Sequence, residues 1–113
     1  MIEKYDFGEI KIRGKNFNHD VQVFWTGEVL SWWREEGHLI DVKDLKKTLE
    51  KKPEIIVIGT GKHGMAKMRK EAKNFLKEKG IELSVEMTDK AVEIFNQKVK
   101  EGKKVAGLFH LTC

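Results

Sequence analysis

Cysteine occurs once in this chain, at Cys113, and proline once, at Pro53, while serine and glutamine occur twice each. A single thiol closes no internal disulfide, and it excludes cysteine clusters for zinc or iron–sulfur centres. No apolar run approaches the roughly 20 residues that a membrane-spanning helix requires. The opening Met1-Ile2-Glu3-Lys4-Tyr5-Asp6 has neither the basic nor the apolar region of a secretory signal, so a cytoplasmic, reducing compartment is the expectation. His-x-x-x-His metal spacing, paired-carboxylate spacing and a serine–histidine–aspartate arrangement are also missing. Little therefore points to an enzyme, and no metal and no cofactor are expected.

What is present is charge. The 113 residues carry 22 basic and 18 acidic side chains, for a net charge of +4, and 40% of the chain is apolar. The basic set is 19 lysines and only 3 arginines, and lysine with glutamate fills 32 positions. Lysine and glutamate enrichment with few amides is thermophile-like composition. Lysine alternates with glutamate, as in Lys77-Glu78-Lys79, which reads as a solvated surface rather than a nucleic-acid face. The remaining partner classes are another protein, a second copy of the chain, or a small anionic ligand. Residues 1–113 are long enough for one hydrophobic core and read as a single domain.

The pattern changes near residue 40. Before it, Ile10-Lys11-Ile12 and Val21-Gln22-Val23-Phe24-Trp25 alternate as strands do, and Thr26-Gly27 turns the chain into a hairpin partner, Glu28 to Trp33. After it, Asp41 caps a short helix carrying Val42, Leu45 and Leu49, which stops before Pro53. Glu54 to Ile58 is a strand of the kind buried on both faces. Met65, Met68, Ala72, Phe75 and Leu76 share helical spacing, predicting a helix from Met65 to Lys79 with Gly80 as its stop. Ile81 to Met87 reads as a strand with Ile81, Leu83, Val85 and Met87 on one face. A helix capped by Thr88 or Asp89 runs to Glu101, and Val105 to Phe109 is the last strand. Strands joined by single helices lie parallel through right-handed crossovers. The expected fold is therefore α/β: one compact domain with a mixed sheet. Its C-terminal part is a parallel β-α-β-α-β unit flanked by helices, with extra antiparallel strands from the N-terminal part.

Gly59-Thr60-Gly61-Lys62-His63-Gly64 matches G-x-G-x-x-G, between a buried strand and an expected helix, with Glu82 and Glu86 at the range of a ribose-binding acid. Backbone N–H groups and Lys62 would face an anion there. A complete dinucleotide fold needs a second half that this length does not hold. A glycine turn of purely structural purpose explains the same residues. Parallel strands bring their carboxyl ends to one edge, placing Gly59 to Gly64 near Thr88, Asp89 and His110. There His63 and His110 supply imidazoles and Asp89 a carboxylate. The plainer expectation makes Asp89 a helix cap and His110 a satisfied histidine. Trp32 and Trp33, adjacent in a strand, point to opposite faces, so one belongs to the core and the other marks a partner surface. His38 sits in a turn, and Cys113 lacks the rigid support a nucleophile needs.

Several ordered motifs together resemble a known family. They are Trp32-Trp33 with Gly37-His38, Pro53 through Gly61, Met87-Thr88 with Ala91 and Asn96, and Glu101 to Gly107 with His110-Leu111-Thr112. The chain resembles the family of small domains that includes the adipogenesis-associated protein and a mitochondrial complex I assembly factor. That resemblance implies a compact α/β domain and no established reaction or cofactor. Lys62 to Lys67 departs from it, standing where relatives carry an apolar or proline-containing step. The expectation is a non-enzymatic cytoplasmic domain acting through protein–protein contacts, assembly-factor-like by resemblance. The alternative is a small anionic metabolite or nucleotide bound at the glycine loop.

Overall fold

Three strands whose residues are buried at every position stack side by side at the centre of the protein. The structure, a computed structural model, describes residues 1–113. In chain order its elements begin with β1 (Ile2–Asp6), β2 (Glu9–Ile12), β3 (Lys15–Phe17), β4 (Val21–Phe24), β5 (Val29–Ser31) and β6 (Leu39–Ile40). A 3-10 turn, Val42–Leu45, runs into α1 (Lys46–Glu50). Then come β7 (Ile55–Thr60), β8 (Lys67–Met68), α2 (Lys70–Glu78), β9 (Glu82–Glu86), α3 (Thr88–Lys100) and β10 (Val105–His110). The main sheet has the order β5-β4-β10-β7-β9, with β10, β7 and β9 parallel and β4 and β5 antiparallel. The parallel β-α-β-α-β unit is thus present, and the hairpin from Val21 to Ser31 extends it as the alternation predicts.

Alternation across the sheet divides the core in two. Ile55, Val57, Val105 and Phe109 face α3 and the strands β1 and β2. Ile56, Ile58, Ala106 and Leu108 face α2, Leu45 and Trp32. Each side holds 12 buried residues, so the sheet is the middle of three layers. One polar pair interrupts the second side: Thr48 Oγ1 donates to Gln22 Oε1 at 2.6 Å, and Gln22 Nε2 donates to Ser31 O at 2.9 Å.

Four expectations need correction. Met65 to Met68 is extended rather than helical; β8 pairs with β6, and α2 begins only after Arg69, whose ψ is 144°. Met65 N donates to Cys113 O, Ala66 N to Thr60 O and Lys67 N to His38 O, so partners distant in sequence fix this segment against its helical spacing. The N-cap of α3 is Met87, without a side-chain bond; Thr88 and Asp89 lie inside the first turn. Met87 is 53% exposed and leaves the buried face that Leu83 and Val85 share. Finally, the second main-sheet hairpin strand stops at Ser31, before the tryptophans, while the extra antiparallel N-terminal strands are present as a small sheet of β1, β2 and β3. Asp41 does cap the 3-10 turn, in a capping box with Asp44.

Candidate functional site

The carboxyl ends of β7, β9 and β10 lie along one edge, and the chain itself covers them. Thr88, in the first turn of α3, donates its hydroxyl to His110 O at 2.7 Å and accepts from Gly61 N at 2.8 Å. Gly61 has φ +108°, and a Cβ there would collide with the Cys113 carbonyl and lie 2.8 Å from the His110 ring. Only glycine fits at such a φ and such a spacing. Lys62 N donates to Thr112 O at 2.7 Å, Met65 N to Cys113 O at 2.9 Å and Gly64 N to Gly61 O at 3.3 Å. Thr88 N, at the start of α3, donates to Gly61 O at 3.1 Å. The backbone N–H groups of Gly61, Lys62, Gly64 and Met65 are therefore taken up by Thr88, Thr112, Gly61 and Cys113 of the chain itself.

The expected residues are gathered, though not into one cavity. Gly59 and Thr60 are buried at the end of β7, where the Thr60 hydroxyl donates to Glu86 O at 3.1 Å. Lys62 Nζ pairs with Asp89 Oδ2 at 3.2 Å and lies over the Tyr5 ring at 5.4 Å. Asp89 is therefore the partner of Lys62. Tyr5 donates its hydroxyl to Leu111 O at 2.9 Å. Burial, and then the charge of Asp89, push its pKa up to about 12. His63 turns outward against the Phe7 ring at 6.5 Å and borders an open groove of about 450 Å3 beside Lys67 and Lys73. His110 is absent from that groove and is 6% exposed, so the two imidazoles do not converge.

His110 belongs to a network that sequence reasoning missed. Its Nδ1 meets Asp20 Oδ2 at 2.8 Å, and Asp20 Oδ1 accepts from Leu111 N at 2.8 Å. Arg34 Nη2 donates to the same Asp20 Oδ2 at 2.8 Å and to Gly37 O at 2.7 Å, while its guanidinium lies 4.3 Å over the Trp32 ring. Arg34 Nη2 also lies 3.1 Å from His110 Nδ1, and Thr112 Oγ1 is 3.5 Å from Nε2. The His38 ring meets His110 edge-on at 5.5 Å. Burial works against the Asp20 carboxylate, but bonds from His110, Leu111 and Arg34 outweigh it and hold the carboxyl below its ordinary 3.8. The arrangement orients an imidazole and ties Leu111, just after β10, to Asp20 at the start of β4. Arg34 is one of only 3 arginines, and it follows Trp32-Trp33. Where lysine dominates so strongly, each arginine is a candidate for work needing a planar fork of donors. Asp20 carried no comparable signal.

The tryptophans separate into one buried and one exposed ring, although the strand ends before them. Trp32 is 3% exposed with Nε1 donating to Asp44 O at 3.0 Å, whereas Trp33 is 77% exposed. No three His, Cys, Asp or Glu side chains are grouped to hold a metal ion. No helix is long and apolar enough to cross a membrane.

The model of a family described as protein of unknown function (DUF498/DUF598) matches residues 2–110. Among solved structures, a conserved hypothetical protein from Pyrococcus horikoshii is 27% identical, with TM-score 0.91, over 100% of this chain and 99% of that one. A protein designated MT938 is 28% identical, with TM-score 0.84, over 100% and 98% of the two chains. A protein of Bartonella henselae described as an outer membrane protein is 22% identical, with TM-score 0.82, over 99% and 94%, a likeness of fold alone.

Proposed function

This chain belongs to the DUF498/DUF598 family of proteins of unknown function, and from that premise we propose that it works by holding a protein partner rather than by catalysis. The clustering of exposed apolar side chains about the glycine loop carries this reading. Four large hydrophobic side chains face solvent: Phe7, Met65, Met87 and Trp33. Three of them surround one loop. Phe7 packs on His63, Met65 follows Gly64, and Met87 Cγ is 3.2 Å from where a Cβ on Gly64 would lie. Apolar side chains gathered on a soluble surface mark a partner site. The loop beneath them is pinned by Thr88, Thr112 and Cys113, so little ordering opposes binding. By resemblance the role is that of an assembly factor; the compartment we propose for it, on the sequence and not on the resemblance, is the cytoplasm. Trp33 offers a second contact on another face.

Affinity capture from a lysate of the source organism tests this, using the wild-type chain beside a Phe7→Ser, Met65→Ser, Met87→Ser variant. A partner held in stoichiometric amount by the first and lost by the second is expected. Equal capture by both, or none by either, overturns the reading. The alternative, a small anionic metabolite or nucleotide, would take the groove beside His63, Lys67 and Lys73. It requires a rise in melting temperature with nucleotide or phosphate at millimolar concentration.

A further inference from the structure

At the opposite end of the parallel strands, a groove of about 420 Å3 opens on the seam between the three-stranded sheet and the edge of the main sheet. Ile12 and Phe17 of the small sheet and Val29 of β5 give it apolar walls, and Arg13, Lys15 and Gly27 complete its lining.

The cation at its rim is held in an unusual way. Arg13 and Gly14 form the two-residue turn between β2 and β3, because Ile12 pairs with Lys15. Their φ values are 48° and 83°. Positive φ at both central positions makes a type I′ turn, whose first position favours asparagine, aspartate or glycine. Arginine is strained there, and strained residues are retained where something else requires them. The guanidinium this turn presents lies against Gly27 of the β4–β5 turn, where a Cβ would occupy its place. Its hydrogen bond within the protein is a long one, from Nη1 to Thr26 O at 3.4 Å. Neither Arg13 nor Lys15 joins an ion pair. Glu3, the carboxylate bonded to this turn, accepts from Gly14 N through Oε1 at 2.8 Å.

A guanidinium has five N–H donors in a fork that matches a carboxylate. Set beside an apolar wall and lacking an acidic partner, it selects a ligand with one anionic end and an apolar body. We propose that this groove binds a small amphipathic carboxylate, its head on Arg13 with Lys15 as second cation and its aryl or short alkyl body over Ile12, Phe17 and Val29. The volume suits a small molecule. The site is separate from the glycine-loop surface and independent of the partner reading.

The test is amide NMR on the full chain, titrated to millimolar concentration with naphthalene-2-carboxylate. The neutral alcohol naphthalene-2-methanol and inorganic phosphate are the comparison probes. The carboxylate is expected to shift the amides of Ile12, Gly14, Phe17, Gly27 and Val29 saturably. The alcohol, which lacks the charged hydrogen bond, and phosphate, which lacks the apolar body, should each bind at least about tenfold more weakly. Arg13→Asn places the preferred residue in the turn, so it should melt at the same or a higher temperature while binding the carboxylate at least about tenfold more weakly. Lys15→Gln, which leaves the turn untouched, should weaken it less. Absence of shifts at these amides, equal binding of the alcohol, or undiminished binding by Arg13→Asn overturns the proposal.

Discussion

Asp20 and His110 stand 90 positions apart in the chain, yet Oδ2 of one meets Nδ1 of the other at 2.8 Å. The contact joins the entry to β4 with the exit from β10, and Arg34 completes it from a buried position, its side chain 4% exposed. Replacing Asp20 with Asn strands that guanidinium without its counter-charge. The cost should be about 3 kcal/mol or more, read as a lower urea midpoint at unchanged slope. Adding Arg34→Met should recover part of it, because the buried charge leaves with its partner.

The same carboxylate gives an acid signature. Its pKa in the folded protein lies below its ordinary 3.8, so its contribution is complete above that value and is lost as pH falls through the folded one. The stability gap between wild type and Asp20→Asn should hold at neutral pH and close only below pH 3.8. Denaturant unfolding across an acid series measures it.

Tyr5 supplies the alkaline counterpart. Its hydroxyl ionises at 10.0 in an unfolded chain and at about 12 here. Between those values the unfolded chain releases the proton first, so stability falls as pH rises. Tyr5→Phe has no such proton to release, and its stability relative to wild type should improve across that interval. Matched unfolding curves below pH 10 and near pH 12 decide it.

Thr88→Val removes the hydroxyl that bonds both Gly61 N and His110 O. Loss of bonding to two buried groups should cost about 2–4 kcal/mol. Thr88→Ser, which keeps the oxygen, should stay within about 1 kcal/mol of wild type. Hydrogen exchange at the Gly61 amide should quicken in the valine variant only.

The adjacent tryptophans should diverge sharply. Trp32→Ala empties a buried site and should cost about 3–5 kcal/mol, whereas Trp33→Ser should change stability by less than about 0.5 kcal/mol. Iodide should quench the fluorescence that Trp33→Phe removes, since that ring is 77% exposed.

What could be read in advance follows from how local each signal is. The run Ile55 to Ile58 announces a strand buried on both faces, and the two core clusters take its residues alternately. The crossover rule then orders the parallel strands and brings Gly61, Thr88 and His110 to one edge. Met65 to Met68 misled because methionines three apart imitate a helical face, while the bonds that decide the segment come from Thr60, His38 and Cys113. Propensity is a weak prior against such distant partners. Strands β1 and β3 are short and mostly polar, and burial of Ile2 alone in β1 leaves no alternation to read. Asp20 and Arg34 escaped notice because the carboxylate gains its role only from residues about 14 and 90 positions away.

Strand β10 is the last to appear in chain order, yet it lies between β4 and β7 at the middle of the main sheet. While a ribosome is still building the chain, the hairpin from Val21 to Ser31 and the pair β7 and β9 have no contact in that sheet to join them. Both keep an open inner edge until residues 105–110 emerge. Assembly of the main sheet therefore waits on a long-range closure, the slow kind of folding step. In that interval two apolar strand edges are exposed to other nascent chains.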